Sequence, residues 1–372
     1  MGIKKTYEEI NEKIKKGKAV ILTAEDVTKM ALEKSPAEIA RSVDVITTAT
    51  FGPMCSSGIF INFGHPDPPV RMEKIMLNQV PAYAGIAAVD AYMGATAESV
   101  TDIKYGGAHV IEALIKGEKV ELQAWGKGTD CYPGKEDIRY IDKGSVNEIF
   151  MFNPRNAYQN YSVAVNRSDS VKYTYMGVLL PRLGNAMYST SGELSPLLND
   201  PDLRTIGIGT RIFLGGTQGY VTWNGTQFNP EVGKNQHGIP INNAATIAVI
   251  GDLKKMSSAY IKAAYFEKYG VSLFVGIGIP IPLLDEEIAA RVSVSNRQIE
   301  TTIFDYGSSG KPQLGITNYE DLQSGSIHLN GKKIRTAPLS SIKIAREIAR
   351  VLKGQISSGE FLISKPVQQL IK

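Results

Sequence analysis

Only two cysteines, Cys55 and Cys131, and four histidines occur in the 372 residues of this chain. So few thiols exclude a disulfide-stapled secreted fold. They also exclude an iron–sulfur cluster held by four thiolates of one chain. His65, His109, His237 and His328 lie far apart, and no HxH, HxxxH or CxxC spacing occurs. Such spacings preassemble metal ligands on one helix or turn, so no metal and no cofactor bound by this chain are expected. Long apolar runs are missing too. The stretches 206–214 and 271–284 are broken by Gly, Pro or Arg and fall short of the roughly 20 residues a membrane span needs. Charge of one sign is scarce: 41 basic against 37 acidic residues leave a net +4. The densest basic stretch, Lys13, Lys15, Lys16 and Lys18, reads as a solvated helix face, so neither nucleic acid nor a membrane is an expected partner. The opening residues are charged rather than an apolar signal segment, which predicts a cytoplasmic location. Met1-Gly2 with Thr6 fits an acylation pattern, but no second membrane signal accompanies it and a single acyl chain anchors only marginally.

What remains is ordinary globular composition, 43% hydrophobic and 21% charged, with enough apolar residues for a packed core. Thr6 with Glu9 predicts a capping box, Thr23 with Asp26 a second helix start, and Ser35-Pro36-Ala37-Glu38 a third. Residues 43–51 are rich in β-branched side chains and predict a buried strand running into Gly52–Gly58. Residues 59–63, 120–124, 148–152, 162–165, 172–180, 205–214, 246–250 and 271–279 read as further strands. Pro81–Ala97 reads as a close-packed helix or a Gly-broken loop. Asn224-Gly225 predicts a tight hairpin turn. Asp252 predicts the cap of a helix running to about Ala264 and stopped by Gly270. Ser340 or Ser341 predicts the start of a last helix ending at Gly354. Strands alternating with helices predict an α/β or α+β fold: a mixed β-sheet core with surrounding helices and long functional loops. With no repeat and no linker, one domain is expected over residues 5–370, divided at most into two interlocked lobes.

Candidate chemistry centres on the cysteines. Buried cysteine is often only a small apolar residue. Here each thiol sits in a loop-like segment: Cys55 in Phe51-Gly52-Pro53-Met54-Cys55-Ser56-Ser57-Gly58, Cys131 in Gly126–Lys135. Backbone N–H groups and two hydroxyls at the first can stabilise a thiolate, the form that attacks carbon or carries sulfur. At the second, Lys127 and Lys135 favour a thiolate while Asp130 opposes one or serves as a proton donor. His65, on a turn near Cys55 in sequence, is a candidate acid or base. Arg155 in Asn153-Pro154-Arg155-Asn156, Arg182 and Arg211 stand in uncharged surroundings and are candidate carboxylate binders, a structural ion pair being the alternative. The glycines of 206–216 lack the spacing of a phosphate-binding loop and read as close-approach positions in a strand.

Several long segments carry a resemblance: Thr47–Gly64 (TTATFGPMCSSGIFINFG), Lys104–Glu112 (KYGGAHVIE), Gly128–Pro133 (GTDCYP), Phe152–Tyr161 (FNPRNAYQNY), Tyr188–Thr210 and Arg211–Gly219. With these, the sequence resembles the homocysteine-biosynthesis, sulfur-incorporation family, the aspartate-semialdehyde sulfurtransferases, over about residues 5–370. The resemblance implies homocysteine formation from L-aspartate semialdehyde and sulfide. It also implies a small ferredoxin-like partner bearing iron–sulfur clusters as electron source, and it places the two family cysteines on Cys55 and Cys131. Some relatives append C-terminal CBS domains, which are not expected here. The residues permit a persulfide on either cysteine, with Cys55 favoured. Arg155, with Asn156 beside it, or Arg211 would take the substrate carboxylate; Asp130 or Glu193 would take its ammonium. Alternatives are a thiol–disulfide oxidoreductase using the Cys55/Cys131 pair and a non-catalytic sulfur-carrier scaffold. A homodimer is the default oligomer.

Overall fold

A computed structural model of the chain describes residues 3–370; the Met1-Gly2 acylation pattern lies outside them. The three predicted helix starts each form a capping box, in which the Ser/Thr hydroxyl accepts from the third helical N–H and the acidic side chain accepts from the cap N–H. These reciprocal bonds satisfy donors that a helix end otherwise leaves unpaired.

The centre of the molecule is a ten-stranded sheet. Its spine is the 13-residue strand Gly270–Pro282, which pairs antiparallel along one edge with Val45–Pro53. Its other edge is shared between Ile261–Phe266 and Arg211–Leu214. Beyond Arg211–Leu214 follow Thr217–Asn224, Ile247–Asp252, Glu148–Asn156, Gly58–Asn62 and Asp90–Gly94. All these pairings are antiparallel; Ile21–Thr23 adds a parallel strand against Val45–Pro53. The helix Ile342–Ser357, capped by Ser341, packs on Val45–Pro53 and Gly270–Pro282. It can do so because Gly276 and Gly278 face it: a Cβ at either would stand 2.8 or 3.1 Å from the Ile348 side chain.

A second, six-stranded mixed sheet runs in the order Gln313–Asn318, Glu300–Asp305, Val163–Val165, Ala186–Tyr188, Lys332–Pro338, Ser326–Leu329, with its own apolar cluster around Tyr188, Ile303 and Tyr319. A four-stranded antiparallel sheet, Val80–Ala82, Lys74–Leu77, Val120–Trp125 and Glu136–Ile141, packs into the same apolar core as the main sheet. This mixed architecture is of the α+β kind.

Three local expectations are corrected. Residues 81–97 carry a loop flanked by strands, Val80–Ala82 and Asp90–Gly94, because Ala91 and Met93 alternate with less buried neighbours at a strand's period of two. Asp252 caps only a short 3-10 turn, Leu253–Lys255. The apolar residues after it serve the strand Ile261–Phe266, since Gly270–Pro282 presents an open edge there. Asn224-Gly225 ends a strand without forming a hairpin, and the chain makes an excursion before Ile247 pairs with Asn224. The strand Thr217–Asn224 is instead entered by a tight two-residue hairpin at Gly215-Gly216, between Leu214 and Thr217, where φ values of +60° and +104° suit glycine.

Candidate active site

Where the main sheet meets the second, strand ends and turns enclose a cavity of about 170 Å³. Its wall includes Cys55, Ser56, Arg155, Tyr158, Tyr161, Tyr175, Tyr269 and Gln227. That volume is below the range of drug-sized pockets and suits a molecule of a few heavy atoms.

Cys55 stands in the turn Met54–Ser57 that follows Val45–Pro53; the turn is closed by Ser57 N–H donating to Met54 O at 3.0 Å. The half-buried thiol has its Sγ 3.2 Å from the hydroxyl of Ser272, a fully buried residue of the long strand. The Tyr269 hydroxyl donates to the same sulfur at 3.8 Å. Among the described residues the N–H groups of Cys55 and Ser56 have no acceptor, so two donors beside the sulfur are free.

Arg155 comes from the end of Glu148–Asn156. It forms no ion pair among the described residues, and its Nε is buried without a hydrogen-bond partner. A guanidinium so placed is a ready anion site. One residue ties it to the cysteine turn. Asn153, fully buried, donates from its amide to Ser57 Oγ at 2.8 Å. Its Oδ1 accepts from Ser56 Oγ at 3.2 Å and from Arg155 N–H at 2.9 Å.

The remaining wall is aromatic. Tyr158 and Tyr161 meet edge to face at 4.6 Å, Tyr161 and Tyr175 at 6.3 Å, Tyr175 and Tyr269 at 6.1 Å. The Tyr175 and Tyr306 hydroxyls are 2.7 Å apart. Burial pushes the Tyr158 phenol up to about 12, with the Arg155 charge opposing and Cys55 adding. Burial also raises Tyr161, Tyr269 and Tyr306. At neutral pH these phenols are protonated donors.

Of the residues singled out in the sequence, the structure brings Cys55 and Arg155 to this cavity. The others stand elsewhere. Cys131 is exposed, in a turn where Thr129 and Tyr132 exchange N–H···O bonds of 2.8 and 3.1 Å with exposed Asp130 beside it. Lys127 there pairs with Glu73 at 3.6 Å. His65 stacks on Tyr132 at 5.7 Å, so it neighbours the Cys131 turn and not Cys55. Asn156 is buried beneath the site, its Oδ1 accepting from Ala157 N–H at 2.6 Å. Arg211 lies in a sheet strand, with its backbone N–H on Ser364 Oγ at 2.7 Å and its guanidinium toward Leu362 O at 3.5 Å. Arg182 is exposed and pairs with Asp169. Glu193 accepts from Asn296 N–H at 3.0 Å and returns its own N–H to Asn296 Oδ1 at 2.9 Å, and burial raises its pKa. Asn153, the tyrosines and Ser272 are the residues that reading the sequence missed. Phe152–Tyr161 holds Asn153, Arg155, Tyr158 and Tyr161 in one run, which is the signal that was available.

Among the described residues, no group of three or more His, Cys, Asp or Glu is arranged to hold a metal ion, and no helix is long and apolar enough to cross a membrane. A family model described as homocysteine biosynthesis enzyme, sulfur-incorporation, matches residues 19–363. The L-aspartate semialdehyde sulfurtransferase of Methanocaldococcus jannaschii is 50% identical, the alignment covering 99% of this chain and 74% of that protein. Its namesake from Methanosarcina acetivorans is 48% identical over 99% of this chain and 72% of its own length. An uncharacterized protein of Methanothermobacter thermautotrophicus is 27% identical over 86% of this chain and 72% of its own. No solved structure matches.

Proposed function

The chain belongs to the homocysteine biosynthesis, sulfur-incorporation family, and from that premise we propose that it forms homocysteine from L-aspartate semialdehyde in the Cys55 cavity, with Cys55 carrying the sulfur. One observation carries the reading: the cavity sets the Cys55 sulfur against a guanidinium whose buried Nε lacks a partner. A nucleophile and an anion anchor are what an aldehyde bearing a carboxylate needs.

Written with R for the rest of the amino acid, the steps balance. Cys55–S–SH adds its terminal sulfur to the aldehyde carbon, and the carbonyl oxygen takes a proton, giving Cys55–S–S–CH(OH)R. Two electrons and two protons cleave the S–S bond, restoring the Cys55 thiol and releasing HS–CH(OH)R. Loss of water leaves the thioaldehyde, and two further electrons and two protons give homocysteine. The outer sulfur of the Cys55 persulfide comes from a donor already at the sulfane level, such as a polysulfide, whose shortened chain leaves as the thiolate of Cys55 attacks it, so each turnover consumes the four electrons of the two reductive steps. An iron–sulfur partner protein is their source in this reading.

This chain's residues supply the setting. The unpaired N–H groups of Cys55 and Ser56 and the neutral Tyr269 hydroxyl are donors for the oxygen as it gains charge. Ser272 holds the sulfur's orientation from below. Arg155 holds the carboxylate. Cys131, exposed on its turn, is the thiol a sulfur donor or partner protein can reach, and the reading gives it that exchange. A thiol oxidoreductase using both cysteines as a pair has less support, since Cys131 does not line the cavity. A cytoplasmic location belongs to the same reading.

The test is homocysteine formation from L-aspartate semialdehyde, polysulfide and a low-potential reductant, followed by chromatography. Mass spectrometry after loading with polysulfide is expected to find one added sulfur, about 32 Da, on the peptide holding Cys55. Full activity in Cys55→Ala would sink the mechanism.

A further inference from the structure

The substrate of the proposed reaction carries an ammonium group beside its carboxylate, and the cavity offers it no counter-ion. Among the described residues no Asp or Glu lines the wall. Glu193 is bound to Asn296 and Asp130 lies on the exposed Cys131 turn. What the wall does offer is a run of four tyrosine rings, Tyr158, Tyr161, Tyr175 and Tyr269, each set edge to face against the next at 4.6, 6.3 and 6.1 Å. Alternating orientation turns ring faces as well as edges toward a shared space, and ring faces attract cations. One of the four, Tyr175, and two tyrosines outside the wall, Tyr306 and Tyr173, already take cations. Lys311 Nζ stands 4.4 Å over Tyr306 and 5.8 Å over Tyr175, and Lys268 Nζ stands 4.5 Å over Tyr173.

We propose that the tyrosine wall is an aromatic cage for the substrate's ammonium, so that the amine is read by cation–π contact and not by a salt bridge. The inference rests on the reading of the cavity as the aldehyde site. It has a consequence for specificity: an aromatic cage contributes less than a buried ion pair, and an absent amine leaves no carboxylate buried and unpaired. The enzyme therefore also acts on the des-amino aldehyde, succinate semialdehyde, converting it to 4-mercaptobutanoate by the same balanced steps.

The experiment compares kcat/KM for L-aspartate semialdehyde and succinate semialdehyde, each with polysulfide and the same reductant. The wild-type preference for the amino substrate is expected at roughly 3- to 30-fold, the range of a cation–π contact. Tyr175→Leu should collapse that preference toward one, and Tyr175→Phe, which keeps the ring, should retain it. A wild-type preference above about 1000-fold, the mark of a counter-ion, overturns the cage, as does an unchanged preference in both Tyr175→Leu and Tyr161→Leu. If the leucine variants do not fold, the wild-type ratio alone decides. Failure of the wild type on both aldehydes sinks the underlying sulfurtransferase reading instead, and the cage with it.

Discussion

Cys55 and Cys131 sit in turns of similar composition, each bordered by glycine and proline, yet their surroundings differ in kind. The Cys55 turn is anchored from three directions: Met54 N–H donates to Leu273 O at 2.7 Å, Ser272 touches the sulfur, and Asn153 holds both serines. The Cys131 turn holds itself, through the mutual bonds of Thr129 and Tyr132, and leaves its thiol in solvent. Glycine and proline identify a turn but not what stands behind it. A nucleophile needs the second property, because orientation against a bound substrate comes from fixed neighbours.

The sharpest way to break this comparison is to remove each sulfur in turn. Cys55→Ser should lower kcat/KM by at least about 1000-fold, as loss of a covalent nucleophile does. Cys131→Ser should lose far less when polysulfide and a chemical reductant replace the natural donors. The reverse order, in a homocysteine assay, would assign the carbon–sulfur chemistry to the exposed turn.

The arginines allow the same contrast with a smaller effect. Arg155→Ala is expected to cost roughly 10- to 100-fold in kcat/KM, mostly through KM, the range for a charged hydrogen-bonding partner. Arg211→Ala should change it by less than about 2-fold, because that guanidinium faces the backbone carbonyl of Leu362, away from the cavity wall. Equal losses at the two positions would mean that the carboxylate binds elsewhere.

How much of this could be read from the chain follows from what each residue depends on. Helix starts depend on three or four adjacent residues, so Thr6 with Glu9 and Ser35 with Glu38 were legible. The strand Val45–Pro53 was legible from its β-branched run, and so was Gly270–Pro282 from its apolar one. The strand Ile261–Phe266 was not, since its apolar spacing also fits a helix and only the open edge of Gly270–Pro282 decides the matter. At the site, Cys55 was legible from rarity and Arg155 from uncharged flanks. Ser272 and Tyr269 were not, because pairing in the main sheet sets them against Cys55 from more than 200 positions away in sequence, nor was Tyr175, which reaches the cavity from the turn of the separate hairpin Lys172–Leu179. Glu193 misled for the same reason: nothing local announces its bond to Asn296.

Asn153 tests whether anchoring is what separates the two turns. Its amide and carbonyl are spent on Ser57, Ser56 and the Arg155 backbone, and it is fully buried. Asn153→Ala should lower unfolding stability by about 1–3 kcal/mol, the cost of stranded buried partners. It should also lower kcat, since both Cys55 and Arg155 lose a shared brace. A variant that loses stability in a urea titration but keeps full kcat would show that the cysteine turn is fixed without Asn153.

The gentlest test leaves the chain unaltered. A bulky polyethylene-glycol maleimide should modify Cys131, which is exposed, well before Cys55, which faces a cavity of about 170 Å³. Iodoacetamide is small enough to enter, and reaction at the two sites can be followed by peptide mass spectrometry. L-Homoserine keeps the substrate's carboxylate and ammonium but has no aldehyde, so it can occupy the site without reacting. It should slow iodoacetamide at Cys55 several-fold, by simple occupancy at concentrations above its dissociation constant, while leaving Cys131 unchanged. Equal protection at both cysteines would place them in one site after all, and the contrast between an anchored thiol and a solvent-facing one would fall.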